Sequence, residues 1–86
     1  MAVANNAPRA VMHLYPNPAC DRVVVSAGVQ RLKDVRIFDM AGHEVLAAQN
    51  MDIPAYLLDV SGLGSGMYVV RGITANGTVT NTLVVD

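Results

Sequence analysis

The chain has 86 residues, with six Lys and Arg against seven Asp and Glu for a net charge of −1. That balance excludes a basic phosphate-binding surface, which needs clustered Lys and Arg. Apolar residues make up 52% and charged residues 15%, too apolar and too weakly charged for a chain disordered throughout. The length allows one small domain. Its apolar runs are too short for a membrane helix, and no charged segment leads into an apolar stretch as a secretory leader would.

Val, Ile and Thr supply 21 of the 86 residues, beside one Phe, three Tyr and no Trp. The core is therefore expected to be aliphatic and β-branched, which suits pleated sheets better than helices. A domain of this size buries only about 60–65% of its unfolded surface, and the lone Cys20 cannot form an internal disulfide.

Residues 1–10 (MAVANNAPRA) are small and polar without period and read as a linker or disordered tail; residues 11–86 read as the domain. Val11–Tyr15 predicts a short strand, stopped by Pro16-Asn17-Pro18, where two of three residues lack an N–H. Asp21–Ala27 predicts a second strand, ended by Gly28. Asp34–Met40 alternates, with Val35 and Ile37 on one face and Arg36 and Phe38 on the other. A turn follows at Ala41-Gly42 or Gly42-His43. His43–Asn50 is rich in helix formers, but eight residues are too few for an unsupported helix, so a strand is expected. Ala55–Val60 is the fifth strand, and Gly62, Gly64 and Gly66 then break the chain. Met67–Ala75 and Thr78–Val85 flank Asn76-Gly77, which predicts a hairpin with a type I′ turn. Seven short strands with closely spaced turns predict an all-β antiparallel sandwich.

Motifs for catalysis or cofactor binding fail on spacing. In Gly62-Leu63-Gly64-Ser65-Gly66 the third glycine comes one residue early for a dinucleotide loop, and Ser65 stands one place late for a nucleophile elbow. His13 and His43 have no third ligand at metal spacing, and the acids are scattered. No catalytic, cofactor or metal site is expected, and no enzyme activity. Asn76-Gly77-Thr78 fits a glycosylation acceptor, but the hairpin accounts for the same residues. Cys20 reads as a half-buried small hydrophobe or as a thiol able to link two chains.

Three stretches together resemble the type A sorting domains of the type IX secretion system of Bacteroidetes-type Gram-negative bacteria. Tyr15-Pro16-Asn17-Pro18 is similar to the family's opening Y-P-N-P, and Val35–Val45 to its central hairpin. Asp59-Val60-Ser61-Gly62-Leu63-Gly64-Ser65-Gly66-Met67-Tyr68-Val69-Val70 is similar to its D-x-S-x-L-x-x-G-x-Y-x-V signature. Gly77 and Leu83-Val84-Val85 match the closing strand. The sequence departs from the family in carrying no Lys or Arg in or after that strand. The resemblance implies a seven-stranded, immunoglobulin-like β-sandwich, a C-terminal domain that serves as a secretion address for a preceding cargo. The machinery (shuttle, translocon and sortase) would read it in the periplasm and carry the cargo to the outer membrane, the cell surface or beyond. A sortase would then usually remove the domain. The alternative is a retained binding, anchoring or signalling module, in the homodimeric case linked through Cys20. A generic adhesive module ranks behind both, because exposed aromatic platforms are scarce.

Each motif residue also has a structural role to fill. Tyr68 is expected to plug the core beside Val70, Gly66 to bend the strand's start, and Asp59 and Ser61 to bond the turn's N–H groups. Pro16 and Pro18 are expected to blunt an edge. The last hairpin is the expected recognition element, its end at Thr82–Asp86 offering unpaired backbone groups to a partner strand.

Overall fold

Alternation of inward and outward side chains organises the whole chain. The computed structural model describes residues 12–28 and 30–86; the expected linker over 1–10 and Val11 of the first expected strand lie outside the described residues. The strands are β1 (His13–Tyr15), β2 (Arg22–Ser26), β3 (Leu32–Phe38), β4 (Glu44–Ala48), β5 (Ala55–Asp59), β6 (Gly66–Thr74) and β7 (Gly77–Val85). Their ends depart from the sequence expectation by at most two residues. No helix occurs among the described residues.

The strands form two sheets, ordered β1-β2-β5 and β4-β3-β6-β7, with every pair antiparallel. They stack as an immunoglobulin-like sandwich. Val23 and Val25 of β2 and Leu58 of β5 face Val35 and Ile37 of β3, Val70 of β6, and Leu83 and Val85 of β7 across one buried cluster. Its largest fully buried side chains are Leu32, Ile37, Leu83 and five valines, each contributing about 1.5–3 kcal/mol on burial. The helix-forming segment becomes β4 because Leu46 and Ala48 pair with Ile37 and Val35 of β3, so tertiary pairing overrides local propensity.

Two local expectations are corrected. Strand β3 begins at Leu32 rather than Asp34: a register shift between these residues leaves Leu32 and Val35 both buried three positions apart, which hides the strand's start from a period-two reading. The β6–β7 hairpin also lacks a type I′ turn. Thr74 pairs with Gly77, so the loop is Ala75-Asn76, and Asn50 alone has positive φ among the described non-glycine residues. Thr74 Oγ1 accepts the Asn76 N–H at 3.1 Å, and its hydroxyl donates to the Gly77 C=O at 3.1 Å. That side chain closes the turn with a single left-handed position, Gly77 at φ +126°.

The sandwich has two lateral sides. On one, residues 16–19 pass along β7, with a parallel bridge between Ala19 and Val85. On the other, the chain leaving β4 bridges Ile53 to Leu32 before entering β5.

Candidate functional site

The first motif closes an edge. After β1 the chain turns through cis Tyr15–Pro16 and Asn17–Pro18 bonds. Pro16 and Pro18 have no N–H to offer a ladder, and the Asn17 side chain supplies the missing pairing. Its Nδ2 donates to the Thr82 C=O at 3.0 Å, and its Oδ1 accepts the Val84 N–H at 3.0 Å. Ala19 continues the seam: its N–H donates to the Val84 C=O at 2.8 Å, and its C=O accepts the Asp86 N–H at 2.8 Å. The Thr82 N–H donates to Asn81 Oδ1 at 2.9 Å, while Asn81 Nδ2 donates to the Met12 C=O at 3.1 Å. The outer edge of β7 from Thr82 to Asp86 is therefore saturated. This corrects the expectation of unpaired backbone groups there: a primary amide offers both N–H donors and an acceptor oxygen and can stand in for a neighbouring strand.

The second motif is a loop locked by its own side chains. Asp59 Oδ1 accepts the Ser61 N–H at 2.9 Å. The Ser61 hydroxyl first, then this N–H, with the charge of Arg22, holds the Asp59 carboxyl below the usual carboxylate range. Val60 is fully buried; its N–H donates to the Asp21 C=O at 2.8 Å and its C=O accepts the Leu63 N–H at 3.0 Å. Leu63 packs against the core from the loop. Tyr68 is half-buried rather than a central plug: its ring lies against the core cluster and its hydroxyl donates to the Gly64 C=O at 2.6 Å. Gly66 opens β6 at φ +150°. A Cβ there would meet nothing within 4 Å, so the backbone conformation and not crowding calls for glycine.

These motifs, far apart in sequence, meet at one end of the sandwich. Gly66 pairs with Val85, Val85 bridges Ala19, and Asp21 bonds Val60. A depression at this end is lined by Asp21, Arg22, Asp59 and Ser61. The structure thus brings together Pro16, Asn17, Pro18, Asp59, Ser61, Leu63, Gly66, Leu83, Val84 and Val85, with Tyr68 two residues further along β6. Tyr15 is 52% exposed on the outer face of the smaller sheet. Val70 lies in mid-core, and Gly77 sits at the opposite end, in the β6–β7 turn. Cys20 is exposed rather than half-buried. His13 lies on β1, whereas His43 sits in the β3–β4 turn with Nδ1 3.4 Å from Asp39. Among the described residues, no three His, Cys, Asp or Glu side chains lie close enough to hold a metal ion.

Sequence reasoning missed Asn81, and it missed what Asn17 does. Their partners stand 65 to 69 positions away, beyond the reach of any local pattern.

The architecture is that of a small two-sheet antiparallel domain whose separated motifs build one pole. The model of the secretion system C-terminal sorting domain matches residues 13–86. The chain belongs to that family, whose domain is the C-terminal signal for type IX secretion, directing export across the outer membrane. A comparison with curated proteins gives no match.

Proposed function

We propose that the domain works as a folded, non-enzymatic address. A periplasmic shuttle of the secretion system reads it, the translocon passes the preceding cargo through the outer membrane, and a sortase then removes it. The observation that carries this reading is the convergence of the family's motifs at one pole, tied by Asn17 to the last strand. The motif side chains there serve backbone hydrogen bonds and core packing, which is what a shape-based signal requires. The test fuses residues 10–86 to a periplasmic reporter in a bacterium carrying the secretion system. Display at the surface that disappears when the system is deleted supports the address. Equal display in both strains rejects it.

One observation favours a second reading, a retained module at the outer membrane. Cys20 is exposed and can meet a second thiol in an oxidising compartment, which would link two copies. Mass spectrometry of the surface-bound parent protein separates the readings: loss of these residues supports removal, and their presence supports retention.

A further inference from the structure

The outward face of the four-stranded sheet carries an apolar band beside its polar positions Asp34, Arg36, Thr80 and Thr82. A half-exposed antiparallel sheet normally alternates polar residues outward. Here the outward positions around its centre carry Phe38, Val69, Ile73 and Val84, all half-buried, with Met67 51% exposed and Val45 36% exposed. Arg71 lies among them. Its guanidinium stacks on the Phe38 ring, 4.9 Å from the centroid. Its Nε is shielded from solvent and has no hydrogen-bond partner.

The neighbouring cation differs. Arg36 stands opposite Arg71 across β3–β6 and is neutralised on both sides, by Asp34 at 3.0 Å and Glu44 at 3.0 Å. Among the described residues Arg71 makes no ion pair. On its other flank β7 offers Thr80, a neutral side chain. The face therefore presents a ring-stacked guanidinium with no direct ion-pair partner among the described residues, beside an Arg36 that holds two carboxylates. Central Arg and aromatic side chains with Met are the composition that dominates binding energy at protein interfaces. A planar guanidinium selects a carboxylate by paired hydrogen bonds. A lipid surface would call for a cluster of cations, which this face lacks.

We infer that this face is a docking surface for a folded protein partner that presents an Asp or Glu carboxylate to Arg71 within an apolar contact. The inference rests on the reading of the domain as an export address and places the partner within that machinery. The saturated edge of β7 adds to it: the last hairpin has its broad face, not its terminal backbone, to offer.

The test uses the whole chain fused to a reporter, in strains with and without the secretion system, comparing wild type, Arg71→Glu, and Leu57→Glu on the opposite sheet. Arg71→Glu is expected to cut exported reporter about tenfold, with Leu57→Glu unchanged and thermal unfolding of the purified Arg71→Glu chain matching wild type. Export of Arg71→Glu at the wild-type level, where wild type needs the system, overturns the docking face and leaves the address standing. Wild-type export that ignores the system overturns the address and the docking face with it. Sedimentation of the purified chain supplies the last arm: a dimer that Arg71→Glu dissolves assigns the face to a second copy and overturns the inference.

Discussion

Along the β1–β7 side of the sandwich, five outward backbone groups between Thr82 and Asp86 meet partners from Asn17, Ala19 and Asn81. Along the β4–β5 side the opposite holds. The bonds from Val60 to Asp21 and from Ala27 to Pro54 fix the even-numbered residues of β5 toward β2. Ala55, Leu57 and Asp59 then turn their N–H and C=O groups outward, and no partner meets these groups among the described residues. Two edges of one small domain thus solve the same problem differently. The terminal strand is closed by a side-chain surrogate, and β5 is protected by its brevity and by Pro54 ahead of it. The difference teaches that the motif nearest the start of the domain acts on its end.

The largest test sets two leucines against each other. Leu83 is fully buried beside the closed seam, while Leu57 is 55% exposed on the other side. Leu83→Ala should cost about 2–5 kcal/mol, and Leu57→Ala should stay within about 0.5 kcal/mol, both read from denaturant unfolding. Next comes the seam itself. Asn17→Ala removes two hydrogen bonds and should cost roughly 1–2 kcal/mol. Hydrogen exchange sharpens this: the Val84 amide should exchange slowly in wild type, the Leu57 amide fast, and Asn17→Ala should bring Val84 toward Leu57 while Val85 stays protected. Slow exchange at Val84 in the variant would show that Asn17 is not what closes the edge. Tyr68→Phe should cost about 1 kcal/mol, because the ring keeps its packing and only the bond to Gly64 is lost.

The smallest expected effect is on acid sensitivity. Asp59 is held low first by Ser61, Asp39 first by the His43 N–H, and Asp52 first by Lys33. Folded values below the unfolded value of about 3.9 mean that the unfolded chain binds more protons in this window. Their stabilisation is thus complete above that pH and is lost as pH falls through the depressed folded values. Unfolding followed from pH 6 down to pH 2 should show the loss, and Asp59→Asn should flatten part of it.

Much of this fold was legible because its strands alternate cleanly. Val23 and Val25, Val35 and Ile37, and Leu83 and Val85 each announce a face by period two, and all six are buried. The rest depended on interactions no window contains. The start of β3 was hidden by the register shift after Leu32. The hairpin turn was misread because Thr74, not the Asn-Gly pair, supplies the turn's closure. At the candidate site, the loop bonds of Asp59 could be foreseen, since donor and acceptor lie two residues apart. The clasp of Asn17 could not, and neither could the isolation of Arg71, which depends on what the two neighbouring strands place beside it.

The clasp also gives the domain a sense of its own completeness. During translation, Asn17 leaves the ribosome 65 residues before the Thr82 carbonyl that it grips. A contact spanning that much chain needs a long loop to close, at a corresponding cost in entropy. A polypeptide cut short before Thr82 would carry every earlier motif and still leave the clasp unfastened, so the closed pole is a mark that synthesis has run through the final strand.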